Sequence, residues 1–349
     1  MFTDTATEHP YAPELSQTKT TIDSPTSMNA TRAKGRRADS PLESELPLQQ
    51  NVALLQAARE RLVLTQAYPV PSPIKDDELV VEIRAIGLNP VDWKSMYASA
   101  ASIGVAYVAA ALALGVSLGL KLSGIPGQDD VDLWEAVRQL PSGAVPVDVV
   151  EECLSGIESA ERPQPGDWIA IYGGASTSAL FISEIARLAG LRVILLADGV
   201  KHGGRLIDRE GSVLVDSHDH IRAIEIVRSI TKGKLRFAVD TVGKETAGYL
   251  VQMLQADAQG GKRAHLVGLA GIPKETTGEV VFHSVPIKLF HEVPCIGLAL
   301  MNWLERALET EAVALPEVEH MEGGLSVLNP ALDRMRRGEI SGRRLVVSL

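Results

Sequence analysis

Between residues 166 and 269 short apolar runs alternate with stretches whose apolar residues recur every three to four positions. Strands are expected at 167–172, 191–197, 213–216, 235–240 and 263–269, with helices at about 177–189, 201–210, 219–231 and 244–255. Val193-Ile194-Leu195-Leu196-Ala197 is apolar without alternation, the pattern of a strand covered on both faces by helices. Strands and helices exchanging at this pitch predict an α/β fold with a doubly wound parallel sheet.

The flanking segments follow other rules. Residues 1–46 show no apolar period and are rich in Ser, Thr, Pro and Ala, so a disordered tail is expected. Its cluster Arg32-Ala33-Lys34-Gly35-Arg36-Arg37 reads as a solvated charge run before it reads as a nuclear signal. Ordered structure should begin near Leu48, with strands at Arg61-Leu62-Val63-Leu64 and at residues 78–88, and a turn over 69–77. In the second strand Val81, Ile83 and Ala85 alternate with Glu82 and Arg84, as in a half-buried antiparallel strand. Residues 97–120 carry no charge and are long enough to span a bilayer. They are mostly Ala, Gly, Ser and Val without an aromatic belt, so one or two buried helices are expected instead. Short amphipathic helices at 129–140 and 147–159 should form an exposed insertion (126–165). Arg344-Leu345-Val346-Val347-Ser348-Leu349 ends the chain as a closing strand.

The segment with the most chemistry is Asp167-Trp168-Ile169-Ala170-Ile171-Tyr172-Gly173-Gly174-Ala175-Ser176-Thr177-Ser178. A strand enters a tight turn and a helix starts at once. Such a helix offers unpaired amides and a positive dipole end to a diphosphate. Gly173 and Gly174 permit a sharp bend and close approach of a ligand, and Ser176, Thr177 and Ser178 add hydroxyl donors or a cap. The spacing G-x-G-x-x-G is not met, so a capped turn without ligand stays open beside the dinucleotide reading. Asp198 ends the next strand, where an acid binds a ribose hydroxyl or merely caps the following helix. Lys201 and Arg205 share one helical face and would suit a 2′-phosphate, which Asp198 would repel. The cofactor is therefore NAD or NADP, and a solvated basic face is the alternative for both cations.

Composition narrows the partners. A chain of 349 residues predicts about two domains, and 45% hydrophobic residues suffice for a large core. A net charge of −10 disfavours a nucleic-acid partner. Two cysteines, Cys153 and Cys295, cannot build a disulfide framework. With Met1-Phe2-Thr3-Asp4 lacking the features of a secretory signal, a cytoplasmic location is expected. Catalytic zinc needs about three Cys, His or Glu ligands. Only His218 and His220 lie close in sequence, without an obvious third ligand. Surface or packing roles are expected for these two and for His202, His265, His283 and His291, and no metal.

Three segments resemble the zinc-independent medium-chain dehydrogenase/reductases. They are Ile86-Gly87-Leu88-Asn89-Pro90-Val91-Asp92-Trp93-Lys94, then Pro165-Gly166-Asp167-Trp168-Ile169-Ala170-Ile171-Tyr172-Gly173-Gly174, and Phe237-Ala238-Val239-Asp240-Thr241-Val242-Gly243. The whole of residues 47–349 is similar to fungal enoyl-reductase-like proteins and quinone oxidoreductases. The resemblance implies a Rossmann domain (166–314) with a GroES-like catalytic domain built from both chain ends (47–125 and 315–349). It implies hydride transfer from NADPH or NADH to an enone, enoyl, quinone or carbonyl small molecule. Thr241, Gly243, Gly268 and Leu269 would flank the nicotinamide, Lys94 would polarise the substrate carbonyl and Asn89 would orient it. A homodimer or a polyketide-pathway partner fits the same resemblance.

One departure stands out. In such relatives a long segment carrying most of the remaining barrel strands follows the Trp-Lys loop, whereas here Tyr97-Ala98-Ser99 leads directly into the small-residue run. A truncated GroES-like domain is expected, with open strand edges. Three functions compete: an active reductase, a nucleotide binder without turnover, and a membrane-associated protein anchored through 97–120.

Overall fold

The structure is a computed structural model, and it describes residues 48–54, 61–71, 83, 85–88, 104–207, 211–273 and 279–348. The expected tail, Asn89 and Lys94, and the junction at 97–99 lie outside the described residues. The chain runs β1 (Gln49–Leu54), β2 (Val63–Pro69), β3 (Ala85–Gly87), α1 (Gly104–Leu112), a π-helical turn (Ala113–Ser117), α2 (Leu133–Arg138) and α3 (Val150–Ser155). It continues through β4 (Trp168–Tyr172), α4 (Thr177–Leu188), β5 (Arg192–Ala197), α5 (Gly199–Leu206), β6 (Ser212–Asp216), α6 (His220–Thr231), β7 (Leu235–Asp240), α7 (Lys244–Met253) and β8 (Ala264–Gly268). The last elements are β9 (Val280–Ser284), α8 (Lys288–Glu292), α9 (Pro294–Glu309), β10 (Val318–Met321), α10 (Leu328–Arg336) and β11 (Arg344–Ser348).

Six strands make one parallel sheet in the order β6-β5-β4-β7-β8-β9. This is the Rossmann order, and the chain reverses its direction of travel between β4 and β7, where open α/β sheets bind ligands. Strand side chains alternate between two cores. Ile169, Ile171, Val193, Leu195, Phe237, Val239 and Val267 pack beneath α1, α4 and α9, while Ala170, Ile194, Leu196, Ala238 and Leu266 pack against α6 and α7. The five expected strands and four expected helices are present within a few residues. The sixth strand, β9, was not anticipated; Val280-Val281-Phe282-His283-Ser284 is short and carries a histidine that only its buried partners explain.

Among the described residues, which include 104–120 of the charge-free run, no helix is long and apolar enough to cross a membrane. The run's described part breaks after α1 into the π turn, where the Leu118 N–H reaches Ala113 O at 3.1 Å. Both pieces lie inside the protein. Tyr107 is fully buried, stacks on Trp303 with centroids 6.0 Å apart, and donates its hydroxyl to Leu300 O at 2.7 Å. Removing that hydroxyl in Tyr107→Phe deletes a second bond to a carbonyl of α9, which should cost about 0.5–1.5 kcal/mol in urea unfolding.

Within the expected exposed insertion, α2 buries Leu133, Trp134 and Val137 and α3 buries Cys153, while Val147, Val150 and Leu154 are exposed. Apolar residues on a short helix mark a face but do not say how closely a neighbour covers it.

The remaining strands form small sheets. β1 and β2 make an antiparallel hairpin, and β10-β11-β3 make a three-stranded sheet, parallel in the first pair and antiparallel in the second. Leu88, Leu328, Ala331, Leu332, Leu345 and Val347 supply a minor core there. Asn329 fastens the hairpin side, accepting from the Leu62 N–H at 3.0 Å and donating to Leu62 O at 2.8 Å. Ile83, placed on a buried face by alternation, is 53% exposed because no described element covers it.

Candidate functional site

Register decides what meets at the carboxyl edge of the sheet. Tyr172 pairs with Leu196 and Asp240, Asp240 with Gly268, Gly268 with Ser284, and Ala197 with Asp216. The residues that follow these ends therefore converge: Gly173 and Gly174 after β4, Asp198 after β5, Thr241 and Gly243 after β7, and Leu269 after β8.

The turn after β4 is stitched to its neighbours. Gly173 has φ +77°, a conformation that side chains with a Cβ resist. The N–H groups of Gly173 and Gly174 both donate to Leu196 O, at 3.1 and 2.9 Å. A Cβ on Gly173 would strike the Thr241 hydroxyl, and one on Gly174 would lie 2.9 Å from Leu195 Cβ. The glycines are thus required by the packing of the turn against β5 and β7.

Ser176 caps α4 by accepting from the Ala179 N–H at 3.1 Å, and its Oγ lies 3.1 Å from Thr241 Oγ1. Thr241 in turn donates toward Tyr172 O at 3.0 Å. The amides of Thr177 and Ser178 belong to the first helical turn, which has no intrahelical acceptor for them. They are the donors left for an anion. Ala175, Ser176 and Thr177 line an open cleft of about 130 Å³, whose other walls are Leu180, Glu184 (paired with Arg187), Arg205, residues 314–317 and Gly342. Pockets for drug-sized ligands measure about 300–1,000 Å³. This cleft fits a phosphate end rather than a whole dinucleotide.

Asp198 caps α5: its Oδ1 accepts from the Lys201 N–H at 2.8 Å, and its Oδ2 lies 3.5 Å from His218 Nε2. The capping alternative is the one realised. Asp216 accepts from the Gly199 N–H at 2.8 Å and meets His218 Nδ1 at 3.3 Å. The hydrogen bond to Asp216, with Asp198 beside it, raises the imidazole above its ordinary value. Of the two acids beside His218, Asp216 stands two residues before it at the end of β6 and Asp198 is contributed by the end of β5, a convergence sequence reasoning did not find. Among the described residues Asp198, Asp216 and His218 form the one group whose ligand atoms converge, within 4.8 Å. Both acids are already engaged as acceptors of helix amides. Arg205 reaches the cleft, while Lys201 is exposed and does not line it.

The residues expected to flank a nicotinamide rest on Asp240. This buried residue accepts from the Val242 and Gly243 N–H groups at 2.9 and 2.7 Å, while its other carboxylate oxygen is buried without a partner. Burial pushes its carboxyl above the usual range, against those amides. The Leu269 N–H donates to Asp240 O at 2.9 Å, so one residue holds both loops that Thr241, Gly243, Gly268 and Leu269 occupy. Its structural part was not anticipated from sequence.

A second network lies deeper. His265 Nδ1 is 3.0 Å from His283 Nε2, and His283 Nδ1 is 2.9 Å from Glu152 Oε1. Glu161 takes two guanidinium bonds from Arg263, at 2.9 and 2.7 Å. Packing was the role expected for both histidines. The hydrogen-bonded chain from His265 through His283 to Glu152 was invisible because its members lie up to 131 residues apart.

No family model matches the sequence. The chain is 20% identical to the trans-enoyl reductase ACTTS2 of Alternaria alternata, over 82% of this chain and 96% of the relative. It is 22% identical to the enoyl reductase component of the lovastatin nonaketide synthase of Aspergillus terreus, over 87% of this chain and 98% of the relative. That alignment runs over 362 positions, more than the 349 residues of this chain, so part of the relative has no counterpart here. Among solved structures the CurF ER cyclopropanase from the curacin A biosynthetic pathway superposes with a TM-score of 0.52 at 11% identity, over 86% of this chain and 99% of that one. The last likeness concerns the fold.

Proposed function

We infer that this chain, whose homologues are fungal trans-enoyl reductases, is an NAD(P)H-dependent oxidoreductase that transfers hydride to an enone, enoyl, quinone or carbonyl small molecule. The observation that carries the cofactor is the phosphate-sized cleft at the start of α4, lined by Ser176, Thr177 and the Arg205 guanidinium. We assign Gly173, Gly174, Ser176, Thr177 and Ser178 to the turn that seats the diphosphate, and Arg205 to its charge. Thr241, Gly243, Gly268 and Leu269 would border the nicotinamide, held by the Asp240 bonds described above. The nicotinamide, when bound, supplies the hydride. This chain's part is to align it and to stabilise the negative charge that develops on the acceptor. Lys94, oriented by Asn89, remains the candidate for that second task; both lie outside the described residues. A cytoplasmic setting and a polyketide-pathway partner or a homodimer belong to the same proposal.

The test is a titration of NADPH and NADH followed by nicotinamide fluorescence, then an assay of absorbance loss with enones, enoyl thioesters and quinones. Binding with acceptor-dependent oxidation is expected. Absence of binding at millimolar nucleotide would remove the assignment. Binding without oxidation by any acceptor would leave a nucleotide binder without turnover.

A further inference from the structure

We propose that Glu317 is a counter-ion gate on this cleft: its carboxylate holds Arg205 at the mouth, and a phosphate of the dinucleotide displaces it. The proposal rests on the dinucleotide reading and adds the residue that tunes affinity. Arg205 is a cation built into the cleft and left short of partners. Its NH2 lies 3.5 Å from Ala175 O and its NH1 lies 3.8 Å from Glu317 Oε2. Charge-assisted bonds of a guanidinium are normally about 2.7–2.9 Å long, so neither contact satisfies it. Gly342 lines the same cleft, and a Cβ there would collide with the guanidinium, so the C-terminal segment is shaped around this side chain. Ser341 secures that segment to α5 through His202, with Oγ 3.1 Å from Nε2.

Glu317 is placed to move. Its carbonyl is fixed by the Arg344 N–H at 2.7 Å, while its side chain is 62% exposed. The carboxylate can swing into solvent with the backbone unchanged. While it stays, it puts a negative charge opposite the helix end that would attract an anion, and it screens the one guanidinium lining the cleft among the described residues. An incoming phosphate offers Arg205 the short paired bonds that Glu317 does not. That phosphate is either the diphosphate common to NADH and NADPH or the 2′-phosphate that only NADPH carries.

The experiment uses the full chain and nucleotide titrations with NADH and NADPH at low and high salt. The variants are Glu317→Gln, Arg205→Gln, the double variant, and Glu309→Gln as an exposed acid of equal charge paired with Arg306. Glu317→Gln should tighten binding about two- to fivefold at low salt, the range for releasing one partly exposed ion pair. The gain should vanish at high salt and in the Arg205→Gln background. An equal gain for both nucleotides assigns the diphosphate and a gain confined to NADPH assigns the 2′-phosphate; either supports the gate. Unchanged binding in Glu317→Gln overturns it, as does an equal gain in Glu309→Gln or a gain that survives without Arg205. If the unaltered chain binds neither nucleotide, the dinucleotide reading fails first.

Discussion

Gly173→Val is expected to weaken nucleotide binding at least about 100-fold, which corresponds to roughly 2.7 kcal/mol. Two effects add. The position has φ +77°, and forcing a residue with a Cβ into that region costs about 1–2 kcal/mol. The new Cβ would also meet the Thr241 hydroxyl and lie 2.7 Å from Val242 Cγ2. Thr241 must then leave its bonds to Tyr172 O and Ser176 Oγ, and the cap of α4 moves with it. Nucleotide titration beside a thermal melt separates lost binding from lost folding. Gly166→Ala is the control, since Gly166 has φ +93° with no atom within 4 Å of the added Cβ, at the opposite end of β4. It should lower the melting temperature and leave binding intact. Normal binding by a folded Gly173→Val would mean that the diphosphate sits elsewhere.

Acid is expected to unfold this protein in two overlapping stages. His265 and His283 are both fully buried. Burial, and then His283 beside it, pushes the His265 imidazole down to about 3. Its Nε2 stands 3.6 Å from Glu161 Oε2 without a hydrogen bond. In the folded state His265 stays neutral at pH values where an unfolded imidazole, ordinarily 6.5, takes up a proton. The unfolded chain then binds more protons, so stability falls as pH drops below 6.5. Glu161 acts lower. Its bonds to Arg263 hold the carboxyl at about 2 against an ordinary 4.5, so its contribution is full above 4.5 and is lost as pH falls toward 2. Each pH unit of separation is worth at most about 1.4 kcal/mol. Urea midpoints should be level above pH 7, decline from about 6.5 and fall faster below about 4.5. His265→Phe should flatten the first decline and keep the second. A midpoint unchanged between pH 7 and pH 5 would show that His265 is not buried in neutral form.

Much of the fold was legible because its signal is local. Continuous apolar strands, helices with one apolar face, and the break at Gly173-Gly174 each follow from neighbours in sequence. The bend between β4 and α4 was placed at the right residues for that reason. Residues 97–120 were expected to form one or two buried helices, and their described part does so, although length and lack of charge by themselves describe a buried helix and a membrane helix alike. The local reading missed β9. What an apolar face touches is not a property of the segment that carries it.

The candidate site divides in the same way. Gly173, Ser176 and Thr241 were named from sequence, but their mutual bonds arise from the pairing of β4 with β7. Asp198 could serve a ribose or a helix, and only the position of the Lys201 N–H shows that it caps the helix. Lys201 and Arg205 looked equivalent on one helical face. The fold brings one of them into the cleft and leaves the other in solvent.

By itself the sequence determined the alternation of strands and helices, the glycine bend and the inventory of groups able to hold an anion, because these depend on backbone preference and on spacing within a few residues. Tertiary structure alone decided which groups converge: Thr241 on Ser176, Asp240 beneath two loops, Glu317 against Arg205, and a histidine pair between two glutamates. The reason is physical. Strand order and register bring together residues that chain distance keeps apart, and burial then fixes which polar atoms must find one another.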